Sequence, residues 1–135
     1  MDKKAVKVGT TISREEFEIL REYLSHKKII ISTIISGSME PLIKIGGKIS
    51  IAPITESFKK FDIIVFWNGR FLICHYIWHL NELMVPGSNG RNYITRGLRH
   101  RREDLPCASE NILGKVTSHK LSKWARAKIL LKGFY

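Results

Sequence analysis

Long apolar runs are absent from this chain. No stretch approaches the roughly 18 apolar residues that a membrane-spanning helix requires, and the N-terminal MDKKAVKVGTT lacks the apolar segment of a secretory signal. A cytoplasmic protein with no transmembrane segment is therefore expected. Cysteine is nearly missing as well: Cys74 and Cys107 are the only two, and they show no metal-ligand spacing. Neither a zinc site nor a disulfide is expected, and no cofactor. Acidic residues are scarce, with 12 Asp plus Glu against 23 Lys plus Arg and a formal charge of +11. Such an excess favours an anionic partner, a phospholipid surface or a nucleic acid, without choosing between them, and a solvated basic face accounts for it equally well. Repeats and low-complexity tracts are lacking too, which with 44% apolar content excludes a largely disordered chain.

What is present fits one core. A chain of 135 residues is too short for two domains of ordinary size, so residues 1–135 are read as a single domain. Thr11 to Lys28 has the pattern of a helix: Ser13 stands as a cap with Glu16 three residues on, and Phe17, Leu20, Tyr23 and Leu24 recur at helical spacing. Short runs divided by turn residues follow, at Ile29 to Ile35, Lys48 to Pro53, Asp62 to Trp67, Arg70 to Trp78, Tyr93 to Arg96 and Ile112 to Ser118. The expected fold class is mainly β with few helices: a β core over 29–118 between an N-terminal helix over 11–28 and a basic C-terminal helix over 120–132.

Within that frame Ile29 to Ile35, short and β-branched, reads as a buried strand. Asn68 and Gly69 predict a type I′ hairpin. On the returning strand Phe71, Ile73, His75 and Ile77 share one face, and Leu72, Cys74, Tyr76 and Trp78 the other. Arg91, Arg96, Arg99, Arg101 and Arg102 are placed in one loop. Leu121, Trp124, Ala125 and Ile129 fall loosely on one side of the last helix, which is suited to docking on the domain or lying on a membrane.

Chemistry concentrates in SGSMEP, Ser36 to Pro41, where a strand leaves the core. A serine is a weak nucleophile until a base in hydrogen-bond reach accepts its proton, and that base must be held in one tautomer. Lysine or histidine can serve. His75 interrupts an apolar strand face, where an unpaired imidazole is costly to bury; a histidine satisfied by a backbone carbonyl is the plainer alternative. For a carboxylate to orient it, Glu103 and Asp104 are the notable pair, although they equally well neutralise the neighbouring arginines.

Taken together these residues resemble the signal peptidase superfamily of serine proteases, which includes LexA-type repressors, over most of Ile31 to Thr117. SGSMEP is similar to the family pattern SxSMxP, whose second serine is the nucleophile. FDIIVF, Phe61 to Phe66, resembles GDIVVF. CHY, Cys74 to Tyr76, falls where the endoplasmic-reticulum and archaeal type has histidine and bacterial members have lysine. YITRG, Tyr93 to Gly97, resembles LTKGD, and ENILGKV, Glu110 to Val116, the closing strand. The resemblance implies a coiled antiparallel sheet, with Ser38 as nucleophile and His75 as general base. Asp104 would orient the imidazole, with Glu103 as the alternative acid. The Ser36 hydroxyl and the Ser38 backbone N–H would form the oxyanion hole.

The departures from the pattern are specific. Gly46 and Gly47 stand where Gly and Asp are usual, Phe61 replaces a glycine, and Leu98 replaces an aspartate, which removes a carboxylate near the site. A charged helix stands where signal peptidases usually carry a spanning helix, as in compact free-standing members. The expected function is a serine endopeptidase that cleaves a precursor protein or leader peptide after a small residue, with peripheral association with an anionic membrane as a further contact. Nucleic acid is not the expected partner. The alternative is a catalytically weak or inactive scaffold that binds peptides or anions. A LexA-like regulator is disfavoured, because only about thirty residues precede the first expected strand and one helix is not a helix-turn-helix.

Overall fold

The structure, a computed structural model, describes residues 6–55, 57–81 and 92–135. Ser13 caps helix α1 (Arg14–Ser25) through a capping box: its side chain accepts the Glu16 N–H and the Glu16 carboxylate accepts the Ser13 N–H. The helix is shorter than the pattern over 11–28, because Thr11 is held in a β-bridge with Phe71 and Lys27 has a positive φ of 60°. Phe17 and Leu24 are buried, and Phe17 stacks on Trp67 at 5.5 Å, with each such buried side chain contributing about 1.5–3 kcal/mol.

Among the described residues eight strands form one sheet. In chain order they are β1 (Val6–Val8), β2 (Ile30–Ile34), β3 (Lys48–Ala52), β4 (Ile63–Trp67), β5 (Leu72–Asn81), β6 (Asn92–Arg96), β7 (Cys107–Ala108) and β8 (Ile112–Val116). Their order in the sheet is β1-β2-β3-β8-β4-β5-β6-β7. All pairs are antiparallel except β1 with β2, so the sheet is mixed at its edge rather than wholly antiparallel. The fold is mainly β, with two α-helices among the described residues.

The sheet curls until its first edge meets its middle. Just past β1, Gly9 N–H donates to Leu72 O at 2.7 Å, Leu72 N–H to Thr10 O at 3.0 Å and Ile12 N–H to Arg70 O at 2.9 Å. The curl brings Ser36, which follows β2, and His75 on β5 towards one another.

Two clusters cover the two faces. One gathers Ile34, Ile51, Val65, Leu72, Cys74 and Tyr76 with Phe17 of α1 and Ile129 of the C-terminal helix. The other gathers Phe58, Ile64, Phe66, Ile77, Tyr93 and Ile112. β4 is buried at every position because both of its faces are covered, which explains the uninterrupted IIVFW. The alternation along β5 follows the expected faces, with Leu72, Cys74 and Tyr76 in the first cluster and Ile77 in the second.

Several expectations are corrected. β2 is not buried throughout: Ile30, Ser32 and Ile34 point inward while Ile29, Ile31 and Ile35 are exposed, the alternation of a strand covered on one face. β1 was not anticipated, since VKV is too short to carry a period, and it precedes α1. The turn after β4 is not type I′: Gly69 has φ +97° and Asn68 is not in the left-handed region. The turn centres one residue later, on Gly69 and Arg70, where the Asn68 side chain accepts the N–H groups of Arg70 and Phe71. β5 begins at Leu72 rather than Arg70 and continues to Asn81.

The last helix, α2 (Lys123–Lys132), starts after the Ser122 cap, so Leu121 lies before it, although it is buried with Ala125 and Ile129. Trp124 points away from that group and is 78% exposed. Arg96 is no loop residue: it ends β6, is buried, and donates from Nη2 to Gly133 O. Arg91 lies outside the described residues. Among the described residues no helix is long and apolar enough to cross a membrane.

Candidate active site

The loop after β2 is pinned at both ends. Ile35 N–H donates to Val8 O at 3.0 Å, which extends the β1–β2 pairing up to Ser36, and Met39 is buried in the larger cluster. Between these anchors Ser36 and Ser38 are both partly buried. The Ser36 hydroxyl donates to Ser38 Oγ at 3.2 Å, and the Ser38 backbone N–H donates to Ser36 Oγ at 3.3 Å. The segment after β6 clamps this loop from the other side. Arg99 N–H donates to the Ser38 carbonyl at 3.3 Å and Arg99 Nη1 pairs with Glu40 at 3.1 Å.

His75 sits mid-strand on β5, opposite Ile64, and is 8% exposed. The burial cost of its imidazole is met by a carboxylate and not by a backbone carbonyl: Nδ1 lies 2.5 Å from Asp104 Oδ2. Asp104 is itself placed by β6, through its N–H to Thr95 O at 2.9 Å and the Thr95 hydroxyl to Oδ2 at 2.6 Å. Burial pushes the Asp104 carboxyl upward. The hydrogen bond and charge of His75, with the Thr95 hydroxyl and the charge of His100, outweigh it and hold the group below its ordinary pKa. With the carboxylate on Nδ1, Nε2 is the ring nitrogen left to exchange a proton.

Ser36, Ser38 and His75 line one cavity of about 220 Å³, whose other walls are largely apolar and include Val8, Ile34 and Phe71. Ser38 Oγ is bonded to Ser36 and not to His75 in this state. Cys74 also borders the cavity, but burial pushes its thiol up to about 12, so it is protonated at neutral pH and a poor nucleophile.

Of the five singled-out residues, the fold gathers Ser36, Ser38, His75 and Asp104. Glu103 turns elsewhere, with Oε2 3.7 Å from His79 Nε2 in an exposed pair, so Asp104 and not Glu103 is the acid at His75. Leu98 is 2% exposed and packs in the larger cluster. An acid at that position in this chain would face apolar neighbours.

Two further residues shape the site. Thr95 orients Asp104, and its sequence signal is faint: it is the polar member of the alternate set that begins at Tyr93. Gly97 leaves no room for a side chain, since a Cβ there would meet Ser38 O at 2.9 Å and His75 Nε2 at 3.1 Å. Comparisons of this chain with protein-family models, with curated proteins and with solved structures find no match.

Proposed function

We propose that this protein is a serine endopeptidase of the signal-peptidase-like superfamily, with a LexA-like curled core, that cleaves a precursor or leader peptide. The observation that carries the reading is the His75–Asp104 pair at 2.5 Å, on a cavity that also holds Ser38. In this mechanism Ser38 Oγ attacks the scissile carbonyl as its proton passes to His75 Nε2, and Asp104 stabilises the imidazolium through Nδ1. The Ser38 N–H and the Ser36 hydroxyl, which bond one another at rest, turn to the oxyanion, where stabilisation grows toward the transition state. His75 then protonates the leaving amine, and a water repeats the sequence to release the acyl group. A substrate entering as an extended strand would place a small side chain in the cavity, whose volume of about 220 Å³ and apolar walls suit such a residue.

The test is labelling by a fluorophosphonate probe together with cleavage of a peptide library biased to small residues. Ser38→Ala and His75→Ala are expected to abolish both while melting cooperatively. A Ser38→Ala protein that still cleaves like wild type overturns the proposal. A wild-type protein that neither labels nor cleaves would favour the inactive peptide-binding scaffold.

A membrane-borne substrate is favoured by α2. Trp124 and Leu131, 78% and 86% exposed, lie seven residues apart on its outward side, flanked in the chain by Lys123 and Lys132. No acid follows Glu110 in the chain. Aromatic and aliphatic side chains flanked by lysines suit an anionic bilayer surface. Flotation with phosphatidylserine vesicles should be lost in Trp124→Ser/Leu131→Ser, and equal flotation of that variant removes this reading.

A further inference from the structure

At the end of β4 away from its hairpin lies a second cavity, of about 480 Å³, that shares no residue with the Ser38 site. It opens between the turn before β4, the end of β8 and α2, and among the described residues its walls bring together Lys59, Lys60, Lys115, Lys120 and Arg126 with one acid, Asp62. That acid is already engaged. Its Oδ2 accepts the Lys59 backbone N–H at 2.8 Å and its Oδ1 pairs with Lys115 at 3.5 Å. Lys59, Lys60, Lys120 and Arg126 therefore have no carboxylate partner among the described residues.

Two of these cations are held in place by contacts that do not neutralise them. Lys60 Nζ stands 4.0 Å from the Trp78 ring centroid and 5.6 Å from that of Phe61. Arg126 donates Nε to Leu121 O at 3.0 Å with its guanidinium 5.7 Å from the Phe61 ring, which leaves its two terminal nitrogens for a ligand. Phe61 reaches this position from a left-handed backbone, φ +75°. Like charges gathered at one cavity repel, and a multiply charged anion converts that repulsion into attraction. An arginine fork beside several ammonium groups matches tetrahedral oxyanions, and the volume exceeds what one phosphate fills.

We propose that this cavity binds a phosphoryl group with two negative charges, carried on a soluble polyphosphate or phosphomonoester or on a lipid headgroup. The site is separate from the Ser38 cavity and does not depend on its chemistry.

The test titrates the full chain with pyrophosphate at low ionic strength by calorimetry, and separately floats it with phosphatidylcholine vesicles that contain phosphatidic acid. Lys60→Gln/Arg126→Gln is compared with Lys44→Gln/Lys48→Gln, which removes the same charge from exposed positions outside the cavity. A second cavity pair, Lys59→Gln/Lys120→Gln, alters only exposed side chains and serves if the first pair does not fold. The proposal expects at least tenfold weaker binding in the cavity variants and little change in the control. An effect confined to pyrophosphate assigns a soluble ligand, and one confined to vesicles assigns a headgroup. If neither probe binds, if cavity variants bind like wild type, or if the control loses as much as they do, the proposal is overturned.

Discussion

Replacing Gly97 with alanine adds one carbon where three parts of the candidate site meet. Gly97 has no positive φ, so the substitution tests space and not backbone strain. Its Cβ would stand 2.9 Å from Ser38 O, 3.0 Å from His100 Cδ2 and 3.1 Å from His75 Nε2, where ordinary contact begins near 3.4 Å. The Ser38 carbonyl must withdraw by about 0.5 Å and the imidazole by about 0.3 Å. His100 is exposed and swings aside. The other two resist, because Arg99 N–H holds the carbonyl at 3.3 Å and Asp104 holds the imidazole at 2.5 Å. Overpacking of this kind costs about 2 kcal/mol, which lowers Tm by roughly 6–10 °C in a domain of this size. If a misplacement of ~1 Å costs ~100-fold in rate, half of that displacement slows Ser38 labelling by about tenfold. The assay is the second-order rate of fluorophosphonate labelling, read beside the melting curve, with Ser38→Ala as the blank. Gly97→Ala/His100→Ala should remain slow, because it relieves one contact of three. A Gly97→Ala protein that labels at the wild-type rate with an unchanged Tm would refute the tight packing of Ser38 and His75 around Gly97.

Four more outcomes are expected. The lowered Asp104 pKa means that its stabilisation is present above the ordinary carboxylate pKa and is lost as pH falls through the folded value, so Asp104→Asn should flatten the decline of stability below about pH 4. Glu103→Gln, on the exposed His79 pair, should leave both that profile and Ser38 labelling as in wild type; urea melts across pH decide it. Leu98→Asp puts an unpaired carboxylate at a 2% exposed core position and should cost at least about 3 kcal/mol by urea unfolding, while undiminished stability would show that the acid finds a partner. Phe61→Gly relieves a left-handed φ worth roughly 1 kcal/mol but removes a buried ring stacked on Tyr76 at 6.0 Å, a loss of about 3–5 kcal/mol. The net expectation is destabilisation, and a rise in midpoint would reverse that balance.

Local signals were legible where they depend on near neighbours. The capping box of Ser13 and Glu16, the helical spacing of Phe17 and Leu24, the β-branched runs and the alternation around His75 all act within a few residues, and the elements follow them. Signals failed where a distant partner decided. VKV becomes a strand only because β2 lies beside it. Ile31 and Ile35 are exposed because one face of β2 is left uncovered. Trp124 leaves the buried side of α2 although loose helical spacing groups it with Ile129, since Leu121, Ala125 and Ile129 already fill the contact with the core.

The candidate site divides in the same way. Residue type and spacing were enough to single out Ser36, Ser38, His75 and the acids at 103 and 104 as candidates, because hydroxyls at a strand end can be nucleophiles and an unpaired imidazole on an apolar face is costly to bury. Residue type and spacing left Glu103 and Asp104 open, adjacent as they are in the chain, and only the resemblance favoured Asp104. The turn back to Thr95 chose, by aiming one carboxylate at Nδ1 and leaving the other on His79. Nor do local propensities bring residue 38 to residue 75. The curl of the sheet does that, through hydrogen bonds between the end of β1 and the start of β5, and it depends on contacts more than sixty residues apart.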